Sequence, residues 1–475
     1  MNKFVLAARK QPARTTNGMK AQKSTADNVV DLFANIGALR GKDVIPQFVA
    51  AYAEDRDLAT RVALWARDIR GGAGERKVFR DILKYLYDND RDRYNRVIRR
   101  VPDLGRWDDL LTIPNETNAY KLIAEALESG NGLAAKWMPR KGEDAVKLRK
   151  FLRMSPKQYR KTLVELTKVV ESQMCANDWD NINFNHVPSL ASSRYKKAFA
   201  RHTDKYKEWT EKLVSTDPKV REQVKVNAGA VYPYDVLKGV IGHYRTSYTK
   251  DQLNHVKAQW DALPNFVGDA NILPLVDVSG SMTSRAGGYS SQSVTTCLDV
   301  AVSLGLYLAD KNKGVVKDTF LTFSSRPELL HLKGDILQKV TQMVSSNWDM
   351  STNLHAAIEK ILDTAIAGNV PEEDMPRTLL ILSDMQFNAC ARYDDSAIQM
   401  IKRKYEKAGY TMPQIVFWNL NAAYGNQPVS FNDQGVALVS GFSPAIVKSV
   451  LGNDLQDFTP RNVMLKTIMN ERYNY

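Results

Sequence analysis

Asp277-Val278-Ser279-Gly280-Ser281 follows directly on the apolar run Ile272–Val276 and sets two hydroxyls at i and i+2 beside a carboxylate. In a parallel sheet the carboxyl ends of the strands open onto the ligand crevice, so a strand ending here would present these side chains together. Magnesium takes octahedral oxygen ligands at about 2.0–2.1 Å and dehydrates reluctantly, which suits directly bound neutral hydroxyls with carboxylates reaching through water. On this reading Ser279 and Ser281 bind Mg2+ or Mn2+ directly, and Asp277 holds its waters or orients the serines. Two further oxygen donors come from Thr352 in DMSTNL and Asp384 at the end of LLILSD. The plainer use of Asp and Ser is to cap the following helix, which accounts for one of these positions and leaves four without a role.

No catalytic apparatus accompanies the set. The six histidines form no HExxH or other metal-ligand pair, and there is neither a GxSxG nucleophile elbow nor a GxxxxGK[ST] phosphate loop, so no enzymatic activity is expected. His355 follows Thr352 by three residues and is read as capping or packing on its own helix. The glycines between Arg67 and Glu75 sit between two helices rather than after a strand, which argues against a phosphate cradle. Cys175, Cys297 and Cys390 lie far apart with no CxxC pair, so neither a zinc cluster nor a disulfide framework is suggested, and a reducing compartment is expected.

The elements that must position these residues divide the chain in two. From Asn28 onward, segments such as NVVDLFANIGAL, LATRVALWARDI and ERKVFRDILKYLYD place apolar residues at i, i+3 and i+4, separated by short Gly, Pro or Asp punctuation. That pattern predicts amphipathic helices stacked in pairs, an α-solenoid of HEAT-like repeats. After LPNFVGD at 263–269, strand-like segments (NILPLVD, DTFLTF, LLHL, TLLILSD, QIVFWNL, GVALVSG) alternate with helical ones and predict a doubly wound, mostly parallel sheet. The expected division is a flexible basic arm at 1–25, a helical domain at 26–268, an α/β domain at 269–455 and a C-terminal tail at 456–475, the two large halves having separate cores. The N-terminal apolar stretch Phe4–Ala8 is too short for a signal peptide, and no segment approaches the roughly 18 apolar residues of a membrane span, so a soluble cytoplasmic protein with no membrane partner is expected.

Charge follows the same division. The 475 residues carry a net +13, but residues 1–268 hold 48 basic and 32 acidic side chains, a net of +16, and residues 269–475 hold 18 and 21, a net of −3. The first half is therefore the candidate polyanion binder. Its densest stretch contains Lys136, Arg140, Lys141, Lys147, Lys150, Lys157, Arg160 and Lys161, against Glu143 and Asp144. Lys157, Arg160 and Lys161 share one helix face and can neutralise several phosphates of an RNA, while Trp137 and Tyr159 could stack on bases if exposed. The alternative is a solvated surface over buried aromatics. Arg91, Arg93, Arg96, Arg99 and Arg100 are read as partly paired with Asp88, Asp90 and Asp92, Trp107 as packing between helices, and the asparagines around Trp179 as fixing a turn.

The DxSxS, Thr and Asp set, in this order of strands and helices, resembles the metal-ion-dependent adhesion site of the von Willebrand factor A family over residues 269–455. In that family the last ligand of the cation is a carboxylate from a protein partner. The stretches LWARDIRGGAGERKVFRDIL (64–83), VPDLGRWDDLL (101–111), LAAKWMPRKG (133–142) and residues 149–199, taken with that domain, resemble the Ro-like proteins of viruses, plants and fungi, distant relatives of the Ro ribonucleoprotein (TROVE-module) family. The resemblance runs from about residue 30 to residue 455. It implies a helical-repeat ring closed by the A domain, binding small structured RNA outside and single-stranded ends in its hole. The function so implied is that of an RNA-binding ribonucleoprotein component. A second class is a structural or adhesion protein, for instance in a viral particle, that binds a partner's carboxylate through the metal; a metal-dependent hydrolase is the third.

Overall fold

The computed structural model describes residues 12–241, 247–286, 295–323, 326–346, 352–387, 397–421, 426–451 and 458–475. Cys390 and residues 1–11 of the expected arm lie outside them. The described chain starts with an antiparallel hairpin, β1 (Pro12–Arg14) and β2 (Lys20–Gln22), in which Pro12 faces Gln22. Its turn carries Asn17-Gly18, with Gly18 at φ 90°, a left-handed conformation that glycine adopts at little cost. A flexible arm is thus not what residues 12–25 form. Met19 and Ala21 are buried, and Gln22 exchanges both backbone hydrogen bonds with Gln427 at 2.9 and 2.7 Å.

Helices Asn28–Ile36, Ile45–Glu54, Arg56–Arg67, Arg76–Asn89 and Arg91–Val97 follow, each packed on the next. Their starts are fixed by side chains that satisfy otherwise unpaired N–H groups: Asp27 accepts from Val29 N and Val30 N, and Asp55 from Leu58 N. Helices Thr117–Glu128, Gly132–Trp137, Gly142–Phe151 and Pro156–Leu166 continue the region. Helices Ser189–His202, Asp204–Leu213 and Lys250–Asp261 enclose a smaller apolar cluster around Phe184, Phe199, Tyr206 and Trp209.

The second half holds β3 (Ile272–Asp277), β4 (Thr319–Phe323), β5 (Leu329–His331), β6 (Thr378–Ser383), β7 (Gln414–Asn419) and β8 (Val436–Ser440) in the order β5-β4-β3-β6-β7-β8. All neighbours are parallel except β4 and β5. The strands are apolar throughout because both faces are covered. Ile272, Val276, Leu380, Leu382, Val416 and Trp418 face one cluster with helix Cys297–Lys311. Leu273, Leu275, Leu379, Ile381, Ile415 and Phe417 face the other, with helix Leu354–Gly368.

The two halves do not have separate cores. One continuous cluster runs from Val29, Phe33 and Trp65 through Val276, Val300 and Trp418 to Val439 and Met464. Helix Asn28–Ile36 packs against β8 so closely that a Cβ on Gly37 would lie 2.2 Å from Ser440 O, while Gly37 N donates to Ser440 Oγ at 2.9 Å. The expected tail joins the same core: helix Pro460–Ile468 packs on β8 and on helices Asn28–Ile36 and Arg56–Arg67, and Arg472 and Tyr473 reach the buried Asp68. Apolar periodicity reports which face of an element is buried and carries nothing about which distant element covers it, so the join was not visible locally. Among the described residues, no helix is long and apolar enough to cross a membrane.

Candidate metal site and basic surface

Asp277 ends β3 and Asp384 follows β6, its hydrogen-bonded neighbour, so the parallel pairing brings the two carboxylates to the same edge. Asp277 is fully buried; Oδ1 accepts from Ser279 N at 2.9 Å and Oδ2 from Ser383 Oγ at 2.5 Å. Burial, and then the neighbouring Asp384, push its carboxyl up to about 6. Ser279 Oγ and Ser281 Oγ lie 3.0 Å apart; Ser279 is buried and Ser281 exposed. Burial raises Asp384 as well, with the Ser281 hydroxyl and Gln386 N–H pulling the other way. Asp384 Oδ2 is buried and, among the described residues, meets no hydrogen-bond donor. Thr352 precedes helix Leu354–Gly368, is buried, and donates from Oγ1 to Gln386 O at 2.9 Å, which brings it to the loop after Asp384.

Two hydroxyls thus stand beside two buried carboxylates, with Thr352 held on the loop that follows Asp384. This donor set fits a hard divalent cation, whose charge would favour both ionised carboxylates where burial opposes them. Among the described residues no three His, Cys, Asp or Glu side chains form a metal-holding group. His355 stands on helix Leu354–Gly368 with Nδ1 3.1 Å from Glu359 Oε2. Sequence reasoning missed Ser383 and Gln386, although both flank Asp384 in ILSDMQF. It also missed the hairpin tip beside Thr352, which the Asn17-Gly18 pair between two short segments signals.

The basic residues lie on helices Gly132–Trp137, Gly142–Phe151 and Pro156–Leu166 and the turns between them. Arg140, Lys141, Lys150, Lys157, Arg160 and Lys161 are exposed, Lys136 and Lys147 half-buried. Lys147 pairs with Glu143, and Lys161 lies 3.6 Å from Glu165. Of the two aromatics read as stacking if exposed, Tyr159 is not exposed and Trp137 is half-buried. Tyr159 is buried and donates to Pro139 O at 2.9 Å, because it shares the inward face of its helix with Leu163. The Arg106 guanidinium stacks 3.6 Å from the Trp137 ring centroid.

The remaining candidates are structural. In the glycine stretch after Arg67, Asp68 holds Arg472 and Tyr473, and a Cβ on Gly72 would meet Trp65 O at 1.9 Å. Arg93 is 3.4 Å from Asp90, while Arg100 pairs with Asp103 at 3.0 Å rather than with the acids expected. The buried Arg67 and Asp109 form an ion pair at 2.7 Å, and Arg80 bonds the other Asp109 oxygen at 2.7 Å. With Arg67 and Asp109 42 positions apart, no local signal marks that pair.

Two family models match the chain, both described as domains of unknown function: DUF2828 over residues 112–270 and DUF7788 over residues 271–472. The crystal structure of the Deinococcus radiodurans Ro (RSR) protein is similar over 93% of both chains, at 14% identity and a TM-score of 0.43. Uncharacterized protein L728 of Acanthamoeba polyphaga mimivirus is 30% identical over 517 residues, which span 96% of this chain and 86% of that one. A likeness of that extent and identity shows common descent, and the chain belongs to the family of the mimivirus protein L728.

Proposed function

We propose that the chain is an RNA-binding protein of the Ro-like kind, which neutralises phosphates with its basic helical region and holds Mg2+ or Mn2+ on its sheet domain. The observation that carries the RNA reading is the exposed row of Arg140, Lys141, Lys150, Lys157 and Arg160, none of which is engaged in an ion pair among the described residues. A cation left without an acidic partner is available to phosphate, and each such contact releases condensed counterions. The sequence resemblance to Ro-like proteins points the same way. The test is fluorescence anisotropy of the full chain with a labelled single-stranded RNA across a salt series. The logarithmic slope should be roughly −0.7 per phosphate contact, and reversing Lys157, Arg160 and Lys161 to Glu should weaken binding and flatten the slope. Binding indifferent to salt overturns the reading.

Ser279, Ser281 and Thr352 would hold the cation through their hydroxyls, and Asp277 and Asp384 directly or through water. Such a cation supplies an electrophilic position for a carboxylate oxygen. The exposure of Ser281 favours a second reading of that site, contact with a protein partner that donates the carboxylate. No catalysis is assigned to it: RNA, nucleotides and esters should survive incubation with the protein and Mg2+, and hydrolysis abolished by Asp277→Ala would reverse that assignment.

A further inference from the structure

The tip of the N-terminal hairpin lies on the Thr352 side of the site. Asn17 Nδ2 donates to Gln386 O at 2.7 Å and reaches Thr352 Oγ1 at 3.5 Å. Thr16 N donates to Gln386 Oε1 at 2.8 Å, and Thr15 Oγ1 to Phe387 O at 2.5 Å while accepting from Met19 N at 2.9 Å. Below the tip, Met19 is buried in the cluster that contains Phe387 and Leu354. The hairpin is tied at its other end too: Gln22 pairs with Gln427 and Ser430, and Ser24 and Thr25 bond Asp31 on helix Asn28–Ile36. The same segment that enters the helical region thus closes one flank of the cluster of hydroxyls and carboxylates.

We infer that the hairpin tip is an intramolecular cap, in which Asn17 positions Thr352 and shuts that flank to ligands from outside. Among the described residues Ser281 stays exposed on a flank that the tip leaves open. The contacts at the tip run through a side-chain amide and a few hydroxyl and backbone bonds, each of which exchanges for a bond to water on opening. A few such bonds hold a strap closed and let it open without unfolding the domain beneath. The cap is argued from protein contacts alone; only its effect on a bound cation rests on the metal reading.

Two measurements on the full chain decide it. In the first, Thr352→Cys is alkylated with iodoacetamide and read peptide by peptide, alone and combined with Asn17→Ala or Thr15→Val. Asn17 is exposed and its truncation leaves the buried Met19 in place, so that variant keeps the fold. Alkylation should be slow under the intact tip and rise about tenfold or more when local opening becomes easier. Equal rates in all three backgrounds overturn the cap. In the second, Mn2+ is added to the chain with Thr352 intact, and water-proton relaxation is followed with and without acetate. Asn17→Ala should raise the enhancement and enlarge its response to acetate beyond what the open Ser281 flank already allows in the parent, and an unchanged response overturns control of access. Absence of Mn2+ binding in both proteins refutes the cation reading and leaves the alkylation rates to decide the cap.

Discussion

His255 and Asp277 are both fully buried ionisable groups, and burial moves them in opposite senses. His255 lies between Ser192 Oγ at 2.9 Å from Nε2 and Tyr206 OH at 2.7 Å from Nδ1, and burial, with Lys196 adding to it, lowers it to about 3. Its folded pKa lies below the ordinary value of 6.5, so its stabilising contribution is complete above pH 6.5 and is lost as pH falls toward 3. Asp277 is raised from 3.8 to about 6, so without a cation its contribution is greatest below pH 4 and declines as pH rises through 6. Between about pH 4 and 6 the two contributions oppose each other. On acidification from pH 6.5, urea midpoints of His255→Gln should therefore fall less than those of the parent, and those of Asp277→Asn should fall more. A further effect belongs to Asp277: added Mg2+ should raise the midpoint at pH 7.5 and do little at pH 4.5, because a cation competes with the proton for the same oxygens.

At the scale of elements, the buried pair of Arg67 and Asp109 ties helix Arg56–Arg67 to the turn at Trp107–Thr112, with Arg80 of helix Arg76–Asn89 on the same carboxylate. Arg67→Met should cost about 3 kcal/mol in chemical denaturation, since it leaves a buried carboxylate with only one of its two cations. The helix Pro156–Leu166 predicts the opposite behaviour. Its Lys157, Arg160 and Lys161 point outward while Tyr159 and Leu163 anchor it, so reversing the three charges should leave circular dichroism and the thermal midpoint near those of the parent. These two cases also mark how much could be read from the chain beforehand. The outward face of that helix and all six strands of the large sheet follow from local periodicity, and the metal-ligand candidates other than Thr352 follow from their places at the ends of β3 and β6. The burial of Tyr159, the partners of Asp68 and Asp109, and the hairpin beside Thr352 depend on residues tens to hundreds of positions away. A basic, small-residue segment without apolar period looks like a free arm until its Asn-Gly turn is given weight.

Across the whole molecule, a core that passes unbroken from Phe33 and Trp65 to Trp418 and Met464 makes the two halves one folding unit. Calorimetry of the full chain should show a single transition, and residues 26–268 expressed alone should be rapidly digested under conditions where the full chain resists protease, because the surface of helix Asn28–Ile36 that packs on β8 would be bared. Two resolved transitions would refute that unity. The hairpin adds a matter of timing. Thr15 lies 372 positions before Phe387 and Gln22 lies 408 before Ser430, so during translation the hairpin segment must wait for several hundred further residues before its partners exist. At about 5–20 residues per second that wait is on the order of tens of seconds. Until then β1 and β2 have only each other, and a two-stranded hairpin alone is at best marginally stable in water. Ribosome-bound chains stalled before residue 430 should therefore carry the hairpin segment open to proteases and chaperones.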